Sequence, residues 1–161
     1  MKMLVPVDGS AASINAVKKA IEIAKKYGNF SIKIVNVVNI DHISGYKRNK
    51  KLWSQVDGSI ISENDEKTKL LEEHITASSH KILKSLIEKL DFAGIKTETE
   101  VIIGEPYEKI LETAKNENFD LIVMGNRGFS KIKRFFVGSV TQRVISDAPC
   151  PVLVIHSDMD I

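Results

Sequence analysis

Cysteine is almost absent from this chain of 161 residues, in which Cys150 is the only one. A single cysteine excludes an internal disulfide framework and is typical of a reducing compartment. No apolar run approaches the ~20 residues that a membrane-spanning helix needs, and Met1-Lys2-Met3 leads into a strand-like run and not into a signal peptide. These absences predict a cytoplasmic protein without a membrane anchor.

An excess of charge of one sign is also missing, because 23 basic residues are balanced by 21 acidic ones and the net charge is +2. This balance gives no bulk-charge argument for nucleic acid binding. Hydrophobic residues make up 43% of the chain and charged residues 27%, as is typical of globular proteins. A chain of this length can bury about two-thirds of its unfolded surface. We therefore expect a single domain over residues 1–161.

What is present is an alternation of two patterns. Apolar runs rich in Val and Ile predict strands at 3–7, 31–38, 95–103, 119–125 and 151–156. Helical periodicity predicts helices over 10–27 and about 65–92, from Pro106 onward, and from near Ser139 to before Pro149. This alternation predicts an α/β fold, an open parallel sheet with helices on both faces. Pro6 fits such a strand at its carboxyl end, where ladder hydrogen bonding runs out.

Residues 41–64 have no convincing periodicity and are long for a loop in a compact domain. They include the only tryptophan, Trp53, and several basic residues. One interpretation is a flexible, solvated insertion loop within the domain, and the other is a lid or a partner-docking arm.

A glycine-rich segment follows the fourth predicted strand, with Gly125, Gly128, Gly138 and Ser139 in the spacing G-x2-G-x9-G-S. Glycine lets the backbone approach a ligand closely, and successive backbone N–H groups can form an anion-binding nest. A helix that begins at Gly138-Ser139 favours phosphate at its N-terminus, where the Ser139 hydroxyl can donate to a phosphate oxygen or face Mg²⁺. The spacing is neither a Walker A loop nor a dinucleotide fingerprint. The alternative is a turn that merely joins strand to helix.

Asp8 ends the first predicted strand, at the carboxyl edge beside the fourth. There its carboxylate can accept hydrogen bonds from a ribose or a base, or hold a metal through water. The alternative is a local role, in which the Asp8-Gly9-Ser10 turn caps the first helix. The nearby glycine segment favours the binding role.

Five separated segments together resemble the universal stress protein family over essentially the whole chain. They are 5–10 (Val-Pro-Val-Asp-Gly-Ser), 36–38, 104–106, the glycine segment and 148–155. The glycine spacing resembles the ATP-binding branch of that family. The chain departs from the family at Asn36, where many members carry a histidine, and in the basic residues Lys131, Lys133 and Arg134.

The resemblance implies a Rossmann-like fold of the adenine nucleotide alpha hydrolase-like kind, with five parallel strands in the order 3-2-1-4-5. It implies ATP across the carboxyl ends of the first and fourth strands, with Mg²⁺ or Mn²⁺ bridging the phosphates and no direct protein ligand to the metal. It also implies a homodimer through the last strand, residues 151–156. The implied nucleotide-binding residues are Pro6, Val7, Asp8 and Val37 at the adenosine end, Met124 and Gly125 under the ribose, and Arg127, Gly128, Gly138, Ser139, Val140 and Thr141 around the phosphates.

The predicted function is that of an ATP-binding regulatory module in the stress response, acting on an unknown protein partner, because no catalytic apparatus adjoins the glycine segment. One alternative is a slow ATPase or autophosphorylating enzyme that uses Ser139. Another is an AMP or cyclic AMP sensor. A flavodoxin-type electron carrier is disfavoured because the glycine segment follows the fourth strand and not the first. Cys150 is predicted to be a packing residue, and the four histidines lack the spacing of metal ligands.

Overall fold

The computed structural model describes residues 1–39, 60–126 and 137–156. The strands are β1 (Lys2–Pro6), β2 (Ser31–Val38), β3 (Lys96–Ile103), β4 (Leu121–Gly125) and β5 (Val152–Ile155). The helices are α1 (Ala11–Tyr27), α2 (Ile60–Lys89), α3 (Pro106–Asn116) and α4 (Ser139–Asp147). Strands and helices alternate along the chain, which confirms the predicted α/β class.

The five strands form one parallel sheet in the order β3-β2-β1-β4-β5, as predicted. The direction in which strands are added reverses at β1. In the described residues β1 pairs with β2 along its whole length but with β4 only at Met3 and Leu4. The carboxyl ends of β1 and β4 therefore lie at an opening, and in this topology ligands bind at such an opening.

Pro6 is the last residue of β1, which confirms its predicted position. The next residue, Val7, donates its N–H to Val35 O of β2 at 2.8 Å. The backbone N–H groups of successive strand residues point to opposite neighbouring strands. Since the Val7 N–H points to β2, the nitrogen of Pro6, which carries no hydrogen, faces β4. It lies beyond Leu4, the last residue of β1 that pairs with β4. The proline therefore removes no ladder hydrogen bond.

Two pairs of helices cover the two faces of the sheet. On one face, α1 and α2 bury Met3, Val5, Ile34 and Val123. On the other face, α3 and α4 pack against the sheet through Ile110, Ala114 and Val144. The strand residues that they cover are Leu4, Val35, Ile122 and Met124. The sheet is thus buried on both faces, as its nearly continuous apolar strands predict.

Helix α1 begins and ends where its sequence predicts. The Ser10 side chain accepts a hydrogen bond from the Ser13 N–H at 3.3 Å, which makes Ser10 the N-cap. The helix ends at Gly28, whose φ of 65° lies in the left-handed region and whose N–H donates to Ala24 O. Small residues of α1, Ala12, Ala16 and Ala20, are buried and let the helix approach the sheet closely.

Helix α2 begins earlier than predicted. It spans Ile60–Lys89, so residues 60–64, predicted as the end of the insertion loop, are helical. The rest of the predicted insertion, residues 41–59, lies outside the described residues.

The two edge strands of the sheet differ in character. β3 carries the exposed charged residues Lys96, Glu98 and Glu100. β5 is the apolar sequence Val-Leu-Val-Ile, and three of its four residues are partly exposed. Charged side chains on an edge discourage pairing with another strand, whereas a bare apolar edge permits it.

A cluster of charged side chains joins β2, β3 and the end of α3. Lys33 Nζ lies 2.8 Å from Glu100 Oε2 and 2.5 Å from Glu117 Oε1, and the Lys33 side chain is 13% exposed. Burial acts to lower the pKa of Lys33, but the hydrogen bonds and charges of the two carboxylates outweigh it, and the pKa is raised. The two carboxylates therefore stabilise the protonated form of Lys33.

Stability should therefore fall at high pH through Lys33. Because its folded-state pKa is raised, its contribution is complete below the unfolded pKa and is lost as the pH rises through the folded value. Lys33→Met should reduce the free energy of unfolding by about 1 kcal/mol at neutral pH, a modest loss because both carboxylates remain partly hydrated. Urea unfolding from about pH 8 to pH 11 should show a flatter decline in the variant.

The matched control for this experiment is Lys84→Met. Lys84 pairs with Glu88 at 3.8 Å, and its side chain is 76% exposed. Exposed pairs of this kind contribute little, so the control should follow the wild-type pH curve. Equal slopes for Lys33→Met and the wild-type protein would contradict the assigned role of Lys33.

Candidate functional site

The carboxyl end of β1 is held in place by a buried amide. Asn36 on β2 is 5% exposed, and its Nδ2 donates to Val7 O at 2.7 Å. Pro6 and Val7 are buried, whereas Asp8 is exposed at the sheet edge. Asn36, the predicted departure from the family pattern, thus has a structural role in fixing the strand end that carries Asp8.

Asp8 takes the local role that its sequence also allowed. Its Oδ1 accepts a hydrogen bond from the Ser10 N–H at 2.9 Å, and Gly9 between them has a φ of 87°. This turn leads directly into the N-cap of α1. Asp8 is exposed, so the turn does not bury its carboxylate.

Gly125, the last residue of β4, is required by packing. A Cβ built there would lie 2.8–2.9 Å from Ala12 C, Ala12 Cβ and Ser13 N of α1. From the sequence, glycine at this position is expected to permit the close approach of a ligand. In the structure the space in question is filled by the first turn of α1, so the glycine lets helix and strand meet at the sheet edge.

Asn126 connects three elements at the same edge. Its N–H donates to Ile155 O of β5 at 2.8 Å, and its carbonyl accepts from the Gly138 N–H at 2.7 Å. Its side-chain Nδ2 lies 3.2 Å from His156 Nδ1. The side chain is 2% exposed, and Oδ1 has no hydrogen-bond partner among the described residues. No sequence pattern indicates this contact, because it depends on the pairing of β4 with β5.

Helix α4 begins at Ser139, as predicted, with Gly138 as its N-cap. Within the described residues no side chain caps this end, and Ser139 is exposed. The first N–H groups of α4 therefore lack a side-chain acceptor, which favours an anion near them. Thr141 differs from its expected role, because it is 3% exposed and its Oγ1 donates to Gly125 O at 3.0 Å. Its hydroxyl proton is thus used within the fold.

A cleft of 390 Å³ lies between the N-terminal ends of α3 and α4. Of the predicted site residues, Ser139 and Val140 line it, and three further lining residues are Glu105, Tyr107 and Arg143. Arg143 Cζ lies 4.4 Å from the centroid of the Tyr107 ring. Glu105 accepts a hydrogen bond from Asn39 Nδ2 at 2.5 Å. Two sequence signals lie near this cleft, namely the segment 104–106 used in the family resemblance and the end of the glycine segment at Ser139.

The other predicted site residues divide into two groups. Val37 and Met124 belong to the apolar cluster on the α3 and α4 side, which also includes Tyr107 and Val140. Arg127 and Gly128, with the basic residues Lys131, Lys133 and Arg134, lie outside the described residues. The structure thus brings the adenosine-side residues and the start of α4 to one edge of the sheet.

Two further sequence predictions concern reactive groups. In the described ranges there is no cluster of three His, Cys, Asp or Glu side chains that could hold a metal ion. Cys150 is partly buried against the α3 and α4 side of the sheet, and burial raises the pKa of its thiol. A raised pKa disfavours the thiolate, as suits a packing residue.

Among the helices of residues 60–126, 137–156 and 1–39, none is long and apolar enough to cross a membrane.

The sheet order, the opening between β1 and β4 and the helix that begins at the same edge define a doubly wound α/β protein, a class in which ligands bind at the switch point. The model of the universal stress protein family matches residues 1–156, and the chain belongs to that family. Universal stress protein MJ0531 of Methanocaldococcus jannaschii is 35% identical, over 96% of this chain and 81% of its own length. Universal stress protein YxiE of Bacillus subtilis is 33% identical, over 96% of this chain and 98% of its own length.

Solved structures share this fold. The protein MJ0577, the subject of a structure-based assignment of biochemical function, superposes with a TM-score of 0.77 at 24% identity, covering 96% of this chain and 94% of its own. A universal stress protein in complex with cAMP superposes with a TM-score of 0.65 at 24% identity, covering 98% of each chain. A family member from Arabidopsis thaliana with AMP bound superposes with a TM-score of 0.55 at 20% identity, covering 99% of this chain and 93% of its own. At these identities the likeness establishes the fold.

Proposed function

We propose that this chain binds ATP at the switch point of its sheet and acts as a nucleotide-dependent regulatory module of the ATP-binding branch of its family. The observation that carries the proposal is the meeting of three features at one sheet edge. These are the opening between β1 and β4, the exposed Asp8 carboxylate, and the start of α4 at Gly138-Ser139, which no side chain in the described ranges caps. A carboxylate for the sugar and a helix N-terminus for phosphate are the groups that a nucleotide needs.

The residues take roles according to their positions. Pro6, Val37 and Met124 supply apolar surface for the adenosine, and Asp8 accepts hydrogen bonds from ribose hydroxyls. Val7 adjoins the adenosine through its backbone, because its side chain packs on the α1 and α2 side of the sheet whereas Val37 and Met124 pack on the other side. Gly125 lies beneath the ribose, and Arg127, Gly128 and Gly138 belong to the segment that surrounds the phosphates. Ser139 donates its hydroxyl to a phosphate oxygen. Val140 and Thr141 contribute backbone N–H groups of the first turn of α4, because the Thr141 hydroxyl already donates to Gly125 O.

A divalent cation fits this site as a companion of the phosphates. The groups at the start of α4 are N–H donors and one hydroxyl, which suit phosphate oxygens, and the described residues hold no carboxylate cluster for a metal. Mg²⁺ commonly binds phosphates and keeps several of its waters. When bound, Mg²⁺ or Mn²⁺ would neutralise part of the triphosphate charge, and Ser139 is the hydroxyl that could face it.

A second candidate function is the binding of AMP or cyclic AMP. It is favoured by two members of the same fold, one in complex with cAMP and one with AMP bound. Slow hydrolysis or self-phosphorylation remains the enzymatic alternative, and it would depend on Ser139 together with Arg127, Lys131 and Arg134.

Titration calorimetry with ATP, ADP, AMP and cyclic AMP, each with and without Mg²⁺, tests these proposals. For the ATP-binding module we expect ATP with Mg²⁺ to bind most tightly, by about tenfold or more over AMP, because only ATP places three phosphates at the start of α4. Labelled γ-phosphate that is neither released nor transferred above background would support a regulatory role over an enzymatic one. If none of the four nucleotides binds, and denatured protein releases none, the proposed function fails.

We also propose a homodimer through residues 151–156. Its support is the apolar, partly exposed edge formed by β5. Sedimentation velocity at micromolar concentration measures the association state directly, and a protein that remains monomeric would contradict this proposal.

A further inference from the structure

Helix α2 is longer than the sheet on which it packs. Its 30 residues extend over about 45 Å, whereas the eight residues of β2 span about 26 Å. The buried side chains show which part of the helix the sheet covers, since Ser79, Leu83 and Leu86 are all buried. Among residues 69–78, by contrast, only half-buried and exposed residues occur. The N-terminal half of α2 therefore extends past the sheet.

The apolar stripe of α2 continues into this uncovered half. Leu71 and Ile75 lie on the helix face that carries Ile82 and Leu86 further along the helix. Leu71 and Ile75 are half-buried, and the neighbouring Leu70 is 61% exposed. Within the part of the chain that the structure describes, these three side chains belong to neither of the two apolar clusters that cover the sheet. We name Leu70, Leu71 and Ile75 the α2 ridge.

The chain itself brings one segment to the α2 ridge. Strand β2 ends at Val38, at the carboxyl edge of the sheet, and α2 begins at Ile60 beyond that same edge, since its other end leads to the start of β3. Residues 40–59, which lie outside the described residues, join these two points. Because both of its ends are tethered beside the ridge, this segment competes for it at an effective concentration of the order of millimolar. Tethering favours the segment over a separate molecule as the occupant of the ridge.

The sequence of this segment matches the α2 ridge in polarity and in charge. Leu52, Trp53 and Val56 lie close together in it and can cover an apolar surface. Residues 40–59 include four basic and two acidic residues, whereas residues 60–75 include five acidic and two basic ones. Opposite net charges favour this contact. Two ridges from two copies of the chain would instead bring two negatively charged helix ends together, which disfavours a second copy as the occupant.

We propose that residues 40–59 dock on the α2 ridge, with Trp53 packed against Leu71 and Ile75. Trp53 is the anchor because it is the largest apolar side chain of the segment, and tryptophan is among the residues that dominate the energy of interfaces. The segment is then part of the folded domain, and is neither the solvated loop nor the arm for an outside partner that the sequence allowed. The proposal requires no nucleotide, so its failure and the failure of the proposed function are separate results.

Fluorescence of the full chain tests the proposal, because Trp53 is the only tryptophan. In the wild-type protein we expect Trp53 to emit at shorter wavelength than N-acetyltryptophanamide in the same buffer. We also expect acrylamide to quench it about twofold less efficiently or weaker still, because packing on the ridge excludes water and quencher. The double variant Leu71→Gln, Ile75→Gln removes the apolar surface, keeps a good helix former at both positions and leaves the buried core unchanged. Its Trp53 emission should move toward that of the reference compound, and its quenching should rise about twofold or more.

Ile87→Gln is the matched control, because Ile87 is an apolar residue of the same helix that is 39% exposed and lies near its other end. It should leave the emission and the quenching of Trp53 unchanged, and tenfold dilution of the wild-type protein should do the same. Wild-type Trp53 that is quenched as readily as the reference compound would overturn the proposal. So would unchanged quenching in the double variant, or an equal rise in Ile87→Gln. Quenching that depends on protein concentration would make a second copy the occupant and overturn it as well.

Discussion

Gly125→Val is expected to lower the free energy of unfolding by about 3 kcal/mol, the upper part of the range for overpacking a buried site. The first atom added, a Cβ, would lie 2.8–2.9 Å from Ala12 C, Ala12 Cβ and Ser13 N. Two of these atoms belong to the backbone of α1 and cannot rotate away. Either β4 or α1 must shift, and because β4 ends and α1 begins at the proposed nucleotide site, nucleotide affinity should fall as well.

Urea unfolding measures this loss, and two further variants locate its cause. Gly125→Ala adds only the Cβ and should cost less than valine but more than about 1 kcal/mol. Gly94→Ala is the control, because a Cβ there meets nothing within 4 Å and only the φ of 78° is unfavourable. It should cost about 1 kcal/mol. If Gly125→Ala and Gly94→Ala were equally stable, the packing explanation of Gly125 would be wrong.

Thr141→Val is expected to lower the free energy of unfolding by about 2 kcal/mol. Valine has nearly the shape of threonine, so the 3% exposed site stays filled. What is lost is the 3.0 Å hydrogen bond from Oγ1 to Gly125 O, which joins the first turn of α4 to the end of β4. A buried carbonyl left without that donor carries a desolvation cost, which accounts for the size of the effect.

The matched variant is Thr141→Ser, which keeps the hydroxyl and removes one methyl group. It should cost about 1 kcal/mol, the value of one buried methyl. Because the hydrogen bond positions the start of α4, Thr141→Val should also weaken ATP binding by calorimetry, whereas Thr141→Ser should not. A serine variant less stable than the valine variant would show that packing, and not the hydrogen bond, holds Thr141.

The fold could be predicted largely from local patterns. Continuous apolar strands, Ser10 and Gly28 at the ends of α1, and Pro106 at the start of α3 are each signals that a few neighbouring residues carry. The strand order could not be predicted from periodicity, and its prediction came from the family resemblance. The start of α2 at Ile60 was missed because residues 60–64 lack an apolar stripe.

The site was harder to predict because its contacts join residues distant in sequence. The function of Gly125 depends on where Ala12 lies, and Asn126 meets His156 only because β4 and β5 are neighbours. The pairing of Tyr107 with Arg143 requires α3 and α4 to pack side by side. Neither residue forms a motif by itself. Sequence patterns named the segment that begins at Gly125, but not the side chains that other elements bring to it.

The unlike edges of the sheet limit how this protein can polymerise. Strand addition at β5 has an apolar partner surface, whereas strand addition at β3 must bring another chain against Lys96, Glu98 and Glu100. Two copies that join through β5 leave only their β3 strands facing outward. Further growth would place like-charged glutamates of neighbouring chains close together. If the proposed dimer forms through β5, the charged β3 edges would oppose further association through sheet edges and so the growth of continuous cross-chain sheets.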